Sequence, residues 1–227
     1  ISINEGARIE VKGWQDLKKL ELLVENEVLR QYNLLEIKKE LAKRKTKKFS
    51  KKTEDVTDLL KNSDSRVISS IIKDGGSVIA MLLPNFSGLL KKELCPEKTF
   101  GKELAEYAMA YGTKGMIHTD EDLSKYNLKK EFEELKRLFK AKKNDLILVI
   151  AEKKEIAEKA VDAVYERALY ALNGVPEETR IPNHHNATNS YARPLPGANR
   201  LYPETDIPNI DAIEDLIVSI ELPELIP

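Results

Sequence analysis

The stretch from Tyr191 to Pro208, YARPLPGANRLYPETDIP, restricts the backbone more than any other part of this 227-residue sequence. Pro194, Pro196 and Pro203 each fix φ and remove a backbone donor, and Gly197 can take conformations that are closed to other residues. Neither a helical nor a strand period runs through the stretch, so we predict a loop held in one shape. A loop this stiff loses little conformational entropy when it binds a partner.

The charged side chains of this predicted loop are suited to binding. Arg193 and Arg200 can each present a planar fork to phosphate or carboxylate, and Glu204 and Asp206 can accept hydrogen bonds or ligate a hard metal ion. Two interpretations stay open from the spacing alone, because the charges could pair with one another or line a cleft. We expect the two arginines to face a shared cleft, since exposed ion pairs contribute only about 0–1 kcal/mol.

The pattern Arg-Pro-x-Pro-Gly-Ala-x-Arg-x-Tyr-Pro-Glu-Thr-Asp-Ile-Pro in this stretch resembles the signature of the E subunit of archaeal glutamyl-tRNA(Gln) amidotransferases. The related B subunit carries a shorter version of it. The resemblance implies an enzyme that converts glutamate on misacylated tRNA(Gln) to glutamine. It also makes Arg193, Arg200, Glu204 and Asp206 candidates for lining or bracing the active site.

The beginning of the chain reads as β-structure. Alternating apolar residues around Gly6 predict a strand pair, and alternation puts Arg8, Glu10 and Lys12 on one face. The segment ARIEVKG, residues 7–13, resembles an Arg-x-Glu-Ile-Lys segment in the cradle-like synthetase domain of the B and E subunits. The resemblance makes these three residues candidates for the substrate site, packed beside the 191–208 loop, whereas a solvated strand face is the alternative.

A helix and a basic run come next. Apolar residues three or four apart predict one long helix over 17–43, or two helices with a break near Tyr32-Asn33. The basic residues that follow are Lys43, Arg44, Lys45, Lys47, Lys48, Lys51 and Lys52. They form either a solvated linker at a domain boundary or a patch that contacts tRNA phosphates.

Helical and strand patterns then alternate from residue 56 to residue 174, which predicts an α/β (α+β) fold. The predicted helices cover 101–111, 131–140 and 154–172, and the predicted strands cover 78–83, 115–118 and 146–151. The segment 67–72 reads either as a strand or as the end of a helix, and Gly75-Gly76 after it predicts a turn.

Three segments in this region, GKELAEYA, KGMI and DLILVIA, are similar to the GAD domain inserted in bacterial aspartyl-tRNA synthetases and in the amidotransferase E subunit. The B subunit lacks this insertion. The resemblance implies three parts: a cradle segment with a linker helix (1–55), a GAD insertion domain (56–174) and a second cradle segment (175–227). The alternative is a non-catalytic tRNA- or protein-binding insertion module related to aspartyl-tRNA synthetase.

Composition excludes several other classes. With 37 basic and 38 acidic residues, overall charge does not argue for a nucleic-acid partner, so only a local patch could bind one. The single Cys95 excludes an internal disulfide and fits a reducing cytosol, hence a cytoplasmic protein. No apolar run approaches the ~20 residues of a membrane span. Neither His184-His185 nor Asp120-Glu121-Asp122 has metal-ligand spacing, so no metal or cofactor is expected in this chain.

The resemblance implies further parts of a whole enzyme. It implies ATP and Mg²⁺, activation of the tRNA-bound glutamate as an acyl phosphate, and ammonia from an asparaginase-like D subunit. The family's metal ligands are expected before Ile1 and its tRNA-binding domains after Pro227. On that interpretation the 227 residues alone are expected to be inactive.

Overall fold

Strands and helices alternate along residues 1–195, the part of the chain that the computed structural model describes. The strands are β1 (Ile9–Val11), β2 (Thr53–Asp55), β3 (Ser77–Leu83), β4 (Glu93–Cys95), β5 (Lys98–Thr99), β6 (Ile117–His118), β7 (Leu146–Glu152), β8 (Glu178–Asn183) and β9 (Thr188–Pro194). The α-helices are α1 (Leu20–Lys43), α2 (Thr57–Leu60), α3 (Arg66–Lys73), α4 (Phe100–Met109), α5 (Lys129–Leu138) and α6 (Lys154–Tyr170). The predicted α/β class is confirmed.

A four-stranded antiparallel sheet with the order β2-β3-β7-β6 forms the centre of this fold. Its two long strands, β3 and β7, pair over their full length from Ser77 opposite Glu152 to Leu83 opposite Leu146. Helices cover both faces of the sheet, so its two central strands, β3 and β7, are largely continuous apolar runs rather than alternating ones. Met81 and Leu148 pack on the side of α1, α4 and α6, whereas Ala80 packs on the side of α2, α3 and α5.

Helix α1 is continuous over Leu20–Lys43, so of the two alternatives left open by the sequence the single long helix is observed, without a break near Tyr32-Asn33. The Asn33 side chain projects from the helix and donates to the backbone oxygen of Leu94 at 2.9 Å, so its polar group is satisfied without interrupting the helix. Ile37 and Leu41 of the same helix are fully buried in the core that also contains α4 and α6. The helix is therefore part of the same core as the region assigned to the insertion.

The segment 67–72, which the sequence left open between strand and helix, lies in α3. Helix α3 ends at Lys73, and Gly75 with φ of +78° makes the turn into β3. Only a residue without a Cβ takes that backbone conformation at no steric cost. Helix α3 is rich in β-branched residues, which have a weak preference for strands. It is helical nevertheless, because Ile68 is buried in the core and its tertiary contacts outweigh that preference.

A second sheet joins the two ends of the described chain. Its order is β1-β8-β9, with β1 parallel to β8 and β8 antiparallel to β9. The prediction that the loop begins at Tyr191 was wrong, because Tyr191–Pro194 form the end of β9. Proline is tolerated there because β9 lies at an edge of the sheet and Pro194 is its last residue. The rest of the predicted loop, with Arg200, Glu204 and Asp206, lies outside the described residues.

Within residues 1–195 no helix is long and apolar enough to cross a membrane.

The burial of α1 in the common core predicts unequal effects of two identical substitutions on this helix. Leu41→Ala should lower the free energy of unfolding by about 2–4 kcal/mol, because it leaves a cavity at a fully buried position. Leu29→Ala, at a site that is 42% exposed, should change it by about 0.5 kcal/mol. Urea unfolding of the 227-residue chain measures both. Equal effects would contradict the packing of α1 described above.

Candidate functional site

One face of the three-stranded sheet carries a row of polar side chains. Glu10 on β1 is paired in register with Thr179 on β8, and Thr179 is paired with Arg193 on β9. Residues paired across neighbouring strands project from the same face, so the three side chains share one side of the sheet. The Thr179 hydroxyl donates to Glu10 Oε2 at 3.1 Å, which holds the carboxylate over the middle strand.

The other predicted residues of β1 lie at the ends of this row. Arg8 is exposed just before the strand, and the exposed Lys12 follows the strand and pairs with Glu10 at 3.4 Å. Ile9 between Arg8 and Glu10 is buried on the opposite side. We call Arg8, Glu10, Lys12, Thr179 and Arg193 the polar sheet face. It offers a carboxylate and a guanidinium about 10 Å apart, two strand spacings, to a ligand with both donor and anionic groups.

The opposite face of this sheet covers a buried ionic cluster that sequence reasoning missed. We call these residues the charge cluster: Glu27, Arg30, Lys98, Glu103, Glu106, Arg167, Glu178 and Arg180. They come from α1, β5, α4, α6 and β8. The carboxylates and the cations balance in formal charge, which buried ions require because water no longer solvates them.

Glu103 on α4 is the centre of the cluster and is fully buried. Its carboxylate lies 2.5 Å from Arg30 and 3.0 Å from Arg180, and it also contacts Lys98 at 3.2 Å and Arg167 at 3.3 Å. Burial alone would favour the neutral acid, but the cations, with Arg180 and Arg30 foremost, outweigh it and hold the pKa of Glu103 well below its usual range. Glu103 is therefore the carboxylate that neutralises most of the buried positive charge.

Arg180 ties the sheet to the helices. Its guanidinium contacts Glu178 Oε2 at 2.5 Å, Glu103 at 3.0 Å and Glu106 at 3.1 Å, and it also donates to Asn189 on β9. Glu106 in turn accepts from the backbone N–H of Tyr191 at 2.9 Å. Both strands of the β8–β9 hairpin are thereby fixed to α4.

Glu178 is less well compensated than Glu103. Burial raises the pKa of Glu178 to about 7, although its contact with Arg180 acts in the opposite direction. Its second oxygen, Oε1, is buried and has no hydrogen-bond partner among the described residues. A carboxyl group with a pKa this close to neutrality changes its charge within the physiological pH range.

The structure separates the residues of the basic run. Arg44 is half-buried at the end of α1, where it donates to the backbone oxygens of Asn85 and Ser87, each at 2.8 Å, and pairs with Glu40. Because these acceptors already engage its guanidinium, we leave Arg44 out of the phosphate-binding patch expected from the sequence. The run keeps exposed ammonium groups at Lys43, Lys45, Lys47 and Lys48.

Two residues weighed from the sequence, Cys95 and His184, pack against their neighbours within the fold. Cys95 is buried, and burial raises the pKa of its thiol to about 11, which makes the thiolate scarce. His184 lies in the β8–β9 turn and stacks on Trp14 with ring centroids 5.0 Å apart. Among the described residues, no group of three or more His, Cys, Asp or Glu side chains is placed to hold a metal ion.

The sequence contains one feature that could have predicted the charge cluster, namely charged residues on the apolar faces of two helices. Glu103 precedes Leu104 on the apolar face of α4, and Arg167 lies between Val164 and Ala168 on the apolar face of α6. Charged residues are almost never fully buried unless they are paired. An acidic residue on one apolar face and a basic residue on another is thus a hint of a buried pair.

Comparisons with known proteins give a consistent family assignment. The family model of the GAD domain matches residues 68–161, inside the predicted insertion. The chain is 45% identical over 227 residues to the glutamyl-tRNA(Gln) amidotransferase E subunit of Haloarcula marismortui, covering 100% of this chain and 35% of the relative. The corresponding E subunit of Methanocaldococcus jannaschii is 46% identical over 230 residues, covering 99% of this chain and 36% of the relative. That of Pyrococcus furiosus is 43% identical over 232 residues.

These comparisons confirm the resemblance inferred from the sequence, including the presence of the GAD domain. The chain spans 35–36% of the length of these curated relatives.

The arrangement around Glu103 predicts that Glu103→Gln destabilises the fold by about 3–5 kcal/mol, because four buried cations lose their shared carboxylate. The exposed pair of Glu36 and Lys39 is the control, and Glu36→Gln should leave stability nearly unchanged. Chemical denaturation at neutral pH compares them. Similar values for the two variants would show that the cluster does not stabilise the native state.

The raised pKa of Glu178 predicts a pH-dependent contribution to stability. The folded protein keeps this proton up to about pH 7, whereas the unfolded chain releases it near the usual value of 4.5. The contribution therefore falls as pH rises through this window, by up to about 1 kcal/mol per pH unit. Burial lowers the pKa of His118 from its usual value of 6.5, so its contribution changes in the opposite sense and is lost as pH falls.

Comparison of the wild type with Glu178→Gln isolates the carboxyl group, because His118 titrates in both proteins. The stability of the wild type relative to the variant should be greatest near the lower end of the window, about pH 5, and decrease towards about pH 8. Urea unfolding at several pH values between these limits measures it. A difference that is constant or grows with pH would contradict the raised pKa.

Proposed function

We propose that this chain is the central part of the E subunit of a tRNA-dependent amidotransferase, which converts Glu-tRNA(Gln) to Gln-tRNA(Gln). The observation that carries the proposal is similarity to curated E subunits along the entire chain, at 43–46% identity. Because the chain spans about a third of those relatives, the activity belongs to a longer polypeptide, and residues 1–227 contribute to it without carrying it alone.

The proposed cofactors of the whole enzyme are ATP and Mg²⁺, and ATP would activate the glutamate carboxylate on the tRNA for attack by ammonia. The described residues offer no cluster of metal ligands, so we derive no step through the metal ion from them. An asparaginase-like D subunit is the proposed source of ammonia. A reaction on charged tRNA belongs to the compartment of translation, and we infer a cytoplasmic location.

The role that we assign to the polar sheet face is to bind and orient the acyl end of the substrate. Arg193 offers a guanidinium to an anionic group, and Glu10, held by Thr179, accepts from a donor on the same ligand. Arg8 and Lys12 add positive charge on either side of Glu10. The face is rigid from below, because Glu178 and Arg180 on either side of Thr179 are fixed in the charge cluster.

A second contact with tRNA is proposed at the lysines of the basic run. Lys43, Lys45, Lys47 and Lys48 could each neutralise a phosphate and release a counterion, whereas Arg44 is engaged within the fold. Such contacts contribute affinity without sequence specificity.

The assignment of Arg193 is tested by Arg193→Lys in the full-length protein assembled with its partner. The substitution keeps the charge but loses the planar fork, so kcat/KM for amidation of Glu-tRNA(Gln) should fall about tenfold or more. Arg137→Lys, at an exposed position on α5, is the matched control and should leave the rate unchanged. Thermal unfolding of both variants separates an effect on activity from an effect on folding.

The outcomes distinguish the two levels of the proposal. Unchanged kinetics for Arg193→Lys would remove Arg193 from the site while leaving the family assignment intact. A full-length protein with no amidation activity on Glu-tRNA(Gln), in the presence of its partner, would instead favour the non-catalytic binding module.

A further inference from the structure

A cavity of about 610 Å³ opens beside the charge cluster, between α4, α6 and the strands β8 and β9. Four tyrosines form its walls: Tyr107, Tyr111, Tyr170 and Tyr191. Tyr107 and Tyr191 stack on each other with centroids 3.9 Å apart, and Tyr111 and Tyr170 are 49% and 40% exposed. The cavity lies within the volume range of small-molecule sites, and aromatic walls are typical of such sites.

The floor of the cavity contains buried polar atoms without hydrogen-bond partners among the described residues. They are Nε and Nη1 of Arg167, Oε1 of Glu178 and the hydroxyl of Tyr107, and all three residues line the cavity. Arg167 and Glu178 are each only 2% exposed. Most buried polar groups in native proteins form hydrogen bonds. Several unpaired polar atoms in one place therefore indicate a site where a ligand could supply the missing partners.

Two aromatic rings next to Arg167 stabilise its buried positive charge, but they do not accept hydrogen bonds from all of its N–H groups. Its guanidinium carbon lies 5.6 Å from the centroid of Phe100 and 5.7 Å from that of Tyr107, so the cation contacts two aromatic rings. Among the described residues, only Nη2 donates to a carboxylate, that of Glu103. The N–H groups of Nε and Nη1 are therefore buried without an acceptor among the described residues.

The charges around the cavity restrict the ligand. Asp162, Glu166 and Glu177 lie at the rim together with Lys159, and Asp162 is paired with Lys51. A phosphorylated ligand would therefore still meet a small excess of negative charge. A cationic ligand would be repelled by the buried guanidinium of Arg167 below. The charge pattern therefore favours a neutral ligand.

We propose that this cavity binds a neutral planar heterocycle of nucleoside size. Its ring stacks on the tyrosine walls, an acceptor on one edge receives a hydrogen bond from Arg167, and a neighbouring polar group forms a hydrogen bond with Oε1 of Glu178. Nucleobases carry adjacent donors and acceptors on one edge of an aromatic ring and have no charge at neutral pH. The cavity lies on the opposite side of β8 from the polar sheet face, so this is a second site, beyond the function proposed above.

Isothermal titration calorimetry of the 227-residue chain tests the proposal, with adenosine, guanosine, cytidine and uridine as probes and their 5′-monophosphates beside them. At least one nucleoside should bind saturably. Its monophosphate should bind with a Kd that is higher by a factor of about ten or more. Tyr170→Leu should weaken nucleoside binding about tenfold, because a stacked base loses its ring partner. Tyr32→Leu is the matched control, a tyrosine that is 54% exposed on α1 away from the cavity, and should bind like the wild type.

A charge variant provides an independent check. Replacing Glu166 and Glu177 together by Gln should strengthen binding of the monophosphate and leave the nucleoside unchanged, since both residues lie at the rim. No binding by any of the four nucleosides would overturn the proposal, as would equal loss in Tyr170→Leu and Tyr32→Leu. Monophosphates that bind as tightly as nucleosides would also overturn it. The readout is binding alone, so these outcomes do not depend on the amidation assay.

Discussion

The balance of charge around Glu103 is the constraint on which the described structure depends. One buried carboxylate is shared by cations from α1, β5, α6 and β8. Each of these ions would cost several kcal/mol to bury alone, so the cluster is stable only when all its elements are in place together. The ion pairs of the cluster therefore specify which helix contacts which strand, and in which register. Apolar packing alone specifies these contacts less strictly.

The same constraint reaches the polar sheet face through a single strand. Successive residues of β8 point to opposite faces, so Glu178 and Arg180 are fixed in the charge cluster while Thr179 between them points to the other side and holds Glu10. Arg193 is in register with Thr179 on the neighbouring strand. The position of the candidate site is thus determined by ions buried beneath it, and substitutions in the cluster can alter that site without touching a substrate.

Helix α1 shares a core with the region that the family model of the GAD domain matches. The family model of the GAD domain covers residues 68–161, yet Ile37 and Leu41 are buried in the core of that region. Arg30 of α1 adds to this connection by pairing with Glu103, which lies inside the matched region. The matched region is therefore joined to α1 by shared packing and to β8 by the ion pair of Glu103 with Arg180.

The sequence by itself determined the class of the fold, the extent of most helices and the resemblance to the amidotransferase E subunits. The run Leu146 to Ala151 and the helical spacing after Lys154 are local patterns, set by apolar residues that need a buried face, and they were predicted correctly. The motif that carries the resemblance is also a local stretch of sequence.

The tertiary structure alone decided that Tyr191–Pro194 form a strand, because β9 forms only where β8 provides hydrogen-bond partners. It alone decided that Arg44 is occupied and that Glu103, Arg167 and Arg180 meet, since residues 64 to 77 positions apart are brought together only by packing. The sequence gives the chemistry of each side chain. Long-range contacts, which no local pattern contains, decide which charged side chains are buried together.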